Sequence, residues 1–123
     1  MDKLISQGAL SKLNVSQQEL SDKFLLQLSK DFNACNAGVY FEQLSSPLEF
    51  DILLDEISTA LAEIKKSGSA TFQQLLYRID VSEKQVVALL SQQTATTEYH
   101  LLSELIIKRI LQKVILKIQF SKK

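Results

Sequence analysis

Glycine occurs three times and proline once in the 123 residues. A chain folded from strands reverses direction every few residues and needs clusters of Gly, Pro, Asn and Asp to do so. With so few turn residues, long helices are the way to organise this chain. Hydrophobic residues make up 46% and charged residues 23%, enough apolar side chains to build a core, and the length fits one such core. The expected fold is all-α, a compact array of about five helices in a single domain. That domain covers residues 16–123, after an N-terminal arm at 1–15 of weak periodicity.

Start and stop signals divide the chain. Ser16 with Glu19 has capping-box spacing, the Ser oxygen reaching a free helix N–H and the Glu reaching back. Leu20, Phe24, Leu28 and Phe32 then recur every four residues, an apolar stripe that predicts a helix ending near 35–38. Ser46-Pro47-Leu48-Glu49 repeats the box with Pro at the first helical position, and predicts a helix over 47–66. Phe50, Leu53, Leu54, Ile57, Leu61 and Ile64 form its apolar face, with Asp51, Asp55, Glu56 and Glu63 opposite. Gly68 ends it. A shorter helix follows over 71–78, then a turn at Ile79-Asp80-Val81, a third box from Ser82 to Gln85 opening a helix over 82–92, and a last helix over 97–119.

That last helix is too apolar for one face. Placed at about 100° per residue, Ile106, Ile107, Ile110, Leu111, Val114 and Ile118 fall within one arc. Leu101, Leu102, Leu105 and Leu116 fall on the other side, among Lys108, Arg109, Gln112 and Lys113. Either the helix runs through the centre of the domain, or its second face meets another chain. The charge pattern bears on the same choice. Net charge is zero, yet residues 31–63 hold seven acids and no base, and residues 105–123 hold six bases and no acid. Opposite signs on two long helices imply that they, or copies of them, face each other.

The stretch LLYRIDVSEKQVVALL, residues 75–90, has the rhythm of a helix-turn-helix unit. VSEKQV within it resembles a phrase common in bacterial helix-turn-helix regulators. That resemblance implies DNA contacts through Arg78, Ser82, Lys84 and Gln85. Against it, Asp80 stands where the turn usually has Gly, and Asp80 and Glu83 would face phosphates with the wrong sign. The unit offers only Arg78 and Lys84 to neutralise phosphate, and the plainer reading is a helix corner that buries Leu75, Leu76, Ile79, Val86, Leu89 and Leu90.

Catalytic chemistry finds little to work with. His100 is the single histidine and Cys35 the single cysteine, so a buried or capping histidine and a buried thiol are expected. No Gly-rich phosphate loop, nucleophile elbow or zinc motif occurs, and neither a cofactor nor a metal is expected. No signal-peptide pattern opens the sequence and no apolar run reaches the eighteen or so residues of a membrane span, which makes the cytoplasm the expected location. The functional expectation is a non-catalytic protein–protein interaction module, an adaptor, assembly subunit or chaperone-like binder. It self-associates through Leu101, Leu102, Leu105, Lys108, Arg109, Lys113 and Leu116; the helix-turn-helix regulator is the alternative. Its partner is another protein or a second copy, with nucleic acid second and membrane third, because the leucines among the lysines spoil the clean polar face that surface binding needs.

Overall fold

The computed structural model describes residues 7–34, 49–81, 84 and 98–121. Five helices are described: α1 (Gln7–Leu13), α2 (Gln17–Ala34), α3 (Phe50–Ser67), α4 (Ser69–Ile79) and α5 (Glu98–Ser121). The fold is all-α, as the scarcity of turn residues implies. The expected helix over 82–92, the connector VYFEQL, the Ser46-Pro47 cap and Cys35 lie outside the described residues. Within 82–92 only Lys84 is described, helical and exposed.

The arm expected at 1–15 contains α1, and Leu13 at its end is buried in the core. Asn14 then takes a left-handed conformation, φ 58°, which Asn tolerates better than most residues. Its N–H donates to the Ser11 carbonyl at 3.1 Å, and the chain turns directly into α2. There the Ser16 oxygen accepts the Glu19 N–H at 3.0 Å, which is the Ser half of the expected box. Ser16→Ala should therefore cost about 1 kcal/mol, read as a fall of a few degrees in the melting temperature.

From Ser16 onward α2 buries Leu20, Phe24, Leu28 and Phe32, the stripe legible in the sequence. Helix α3 begins at Phe50 rather than Pro47. Glu49 is its N-cap with extended backbone, φ −107° and ψ 135°, so no helix runs through it. The helix starts where its apolar face starts, Phe50 packing against the core and Leu53 lying within it. Gly68 alone separates α3 from α4. Its φ of 164° is extended rather than left-handed, so α4 opens two residues earlier than expected, with the Phe72 N–H reaching back to the Gly68 carbonyl. Across this corner the Lys65 ammonium sits 5.1 Å from the Phe72 ring centre, a cation–π contact.

Helix α5 packs against all four other described helices, and this decides what its first half does. Leu102, Ile106, Ile107, Ile110, Val114 and Ile118 belong to one core with α1–α4. Side-chain pairs fix the helix directions. Ser58 with Ser103, and Asp55 with His100, advance together along α3 and α5, so these helices run parallel. Asp31 with Lys113, and Gln27 with Lys117, advance oppositely, so α2 and α5 are antiparallel. Where α3 crosses α5, Ser103 donates its hydroxyl to the Tyr99 carbonyl at 2.6 Å. That leaves Ser58 as the donor in the 3.0 Å contact between the two hydroxyls, since each hydroxyl carries one proton. Two small polar side chains thus let the helix axes approach closely without leaving an unmet buried hydroxyl.

Candidate interaction surface

The site begins with the turn that ends α4. Asp80 is left-handed, φ 72°, with its N–H on the Tyr77 carbonyl at 3.0 Å and the Val81 N–H on the Leu76 carbonyl at 2.9 Å. This is the Schellman pattern, with Asp where Gly is commonest and with Val81 buried beyond it. The Asp80 carboxylate accepts the Arg109 guanidinium at 2.6 Å, and Arg109 also donates to Gln112 at 2.6 Å.

One helical turn further along α5, Lys113 donates to the Arg78 carbonyl at 3.1 Å, one of the carbonyls that a helix C-terminus leaves without a partner. The same ammonium donates to Asp31 at 2.9 Å. Asp31 is the centre of the polar network, with only 2% of its side chain exposed. It also accepts the Gln27 amide at 3.1 Å and the Arg78 Nε at 3.3 Å. Gln27 passes the network on, its carbonyl oxygen accepting Lys117 at 2.5 Å. One buried carboxylate therefore ties α2, α4 and α5 together through two cations and an amide.

These contacts place each residue expected at an interface. Leu102 lies in the core, Leu105 packs against it, and Leu101 is half-buried. Arg109 and Lys113 are engaged within the chain. Lys108 is exposed, and Leu116 is 50% exposed. On the nucleic-acid reading, Arg78 is held by Asp31, Lys84 is exposed, and Ser82 and Gln85 fall outside the described residues. The turn at 79–81 is closed by backbone hydrogen bonds and by one ion pair to α5; the helix expected beyond it lies outside the described residues.

Several residues escaped the sequence reading. Gln27 and Asp31 stand four apart beside the apolar stripe of α2, and a Gln–Asp pair at that register signals a buried polar link. Leu26, 72% exposed, lies off the stripe, and Phe120, 64% exposed, extends the α5 surface past Leu116. Between α2 and the end of α5 runs a groove of about 300 Å³, lined by Lys23, Leu26, Gln27 and Lys30 on one side and Val114, Lys117, Ile118 and Ser121 on the other.

The acidic face of α3 meets α5 at Asp55, which lies 3.0 Å from the His100 Nε2. Among the described residues no group of three or more His, Cys, Asp or Glu side chains is placed to hold a metal ion. No described helix is long and apolar enough to cross a membrane. Neither a family model, nor a curated protein, nor a solved structure matches the chain. By class it is an all-α domain with a central C-terminal helix.

Proposed function

We propose that this chain is a non-catalytic protein–protein interaction module, an adaptor, assembly subunit or chaperone-like binder of the cytoplasm that self-associates through the outer face of α5. The observation that carries the reading is the change of character along this one helix. Up to Ile110 its apolar residues other than the half-buried Leu101 are buried or packed against the core, whereas Leu116 and Phe120 present large apolar surface to solvent, beside Lys108 and Gln112. Apolar side chains ringed by polar and basic ones are the anatomy of a contact whose burial supplies affinity and whose charges set orientation.

The helix-turn-helix alternative has less support. DNA binding draws most of its non-specific affinity from phosphate neutralisation, and residues 71–92 hold only two bases: Arg78, which pairs with Asp31, and the exposed Lys84.

Leu116→Glu tests the reading, since Leu105 packs against the core and a charge there would confound association with folding. Molar mass by light scattering across a concentration series should show an oligomer in the wild type and a shift of at least about tenfold to higher concentration in Leu116→Glu, about 1.4 kcal/mol of lost contact. A wild type and variant with the same concentration dependence would sink the α5 interface. Binding to duplex DNA that falls steeply with salt and weakens in Lys84→Glu would favour the alternative.

A further inference from the structure

We propose that the groove between α2 and α5 receives the acidic outer face of α3 from a second copy. This rests on the reading of the chain as an interaction module, and it names the partner and the seat. The groove is lined by apolar Leu26, Val114 and Ile118 and by three lysines, Lys23, Lys30 and Lys117. Lys117 is held by Gln27, which fixes one ammonium at the rim, while Lys23 and Lys30 are exposed.

The outer face of α3 is the inverse of this surface. Ile52, 47% exposed, stands within a row that includes Asp51, Asp55 and Glu63, all exposed, and the half-buried Glu56. An apolar residue among four acids and one base, Lys66, fits an apolar lining edged with lysines. Both halves of the match are written in one chain of zero net charge, so a second copy brings all that the contact needs.

Within one chain this contact is not made: Asp51, Ile52, Asp55 and Glu63 are exposed and none of them lines the groove. The two surfaces are different from each other, so two copies either exchange them reciprocally in a closed two-fold dimer or pass them head to tail into a ring or an open chain.

The test is charge reversal with complementation. One variant, Lys23→Glu with Lys30→Glu, reverses the rim; another, Asp51→Lys with Glu63→Lys, reverses the face. All four positions are exposed, and circular dichroism would check that both variants keep the wild-type helix content. Light scattering should show wild-type mass rising above the monomer with concentration and falling as salt is added. Each variant alone should associate at least about tenfold more weakly, and an equimolar mixture should recover association, because every acidic surface again finds a basic one. If the wild type associates and neither reversal weakens it, the docking is overturned while the α5 interface through Leu116 stands. If the wild type is a monomer throughout, self-association falls for both. If that monomer binds phosphatidylserine–phosphatidylcholine vesicles and the rim variant does not, the groove is a lipid surface site and the docking is again overturned.

Discussion

Asp31→Ala is expected to destabilise the fold by about 3 kcal/mol, a fall of roughly 10 °C in melting temperature for a domain of this size. The magnitude follows from what the substitution leaves behind. Asp31 is almost fully buried, and Lys113 is only 24% exposed, so removing the carboxylate strands an ammonium with the Arg78 carbonyl as its remaining partner. The Gln27 amide loses its acceptor too. Arg78, on the other hand, is 42% exposed and turns to water at little cost, so its share is that of a surface pair. The Asp31→Leu, Lys113→Met double variant separates the two contributions. Removing both charges should recover much of the loss, because a buried ion pair costs desolvation that an apolar pair avoids. Chemical denaturation of the single and double variants measures this. A loss under about 1 kcal/mol in Asp31→Ala would mean that the network is solvated and ties nothing together.

The same network shows how far the sequence could be read. Periodicity found α2, α3, α4 and α5, because a stripe such as Leu20, Phe24, Leu28 and Phe32 is a property of one helix alone. The helix starts were less legible. Ser46-Pro47 is a strong local signal, but α3 starts where Phe50 and Leu53 meet the core, and that is a tertiary fact. Gly68 looks like a left-handed stop and is extended instead. Asp80, which seemed to spoil a turn, takes the left-handed position itself and is held there by Arg109. No count of residues reveals that Arg109 and Lys113 reach across to the end of α4, because their partners there lie 29 and 35 residues away in the chain.

Charge segregation was legible as a pattern but not as a pairing. The bases of α5 and the acids of 31–63 do meet within one chain at Asp31, yet Arg109 pairs with Asp80, outside that acidic block. The outer face of α3 touches α5 through His100 alone among the ion pairs of the described residues. Helix α3 lies against α5 by its apolar and small side chains, with Ser58 against Ser103, and this turns Asp51 and Glu63 outward. The sequence therefore held the complementary signs, and the packing decided that most of the acidic face stays available to another molecule.

Ile110→Ala is expected to cost about 3–4 kcal/mol, whereas Leu116→Ala, six residues along the same helix, should cost less than about 1 kcal/mol. Ile110 is fully buried where α5 passes among the other helices. Removing three carbons there loses their transfer energy and leaves a cavity that the packed core around it closes only in part. Leu116 is half exposed, so much of its side chain already sits in water and a truncated site collapses freely. The helix itself is indifferent, because alanine is the better helix former at both positions. The consequences for association run the other way. Leu116→Ala removes apolar area from the proposed contact and should weaken self-association in light scattering while melting close to the wild type. Ile110→Ala should lower the melting temperature while the protein that remains folded associates as before. A Leu116→Ala variant that unfolds like Ile110→Ala would mean that Leu116 is core as well as Val114 and Ile118, and the proposed outer face would lose its apolar centre.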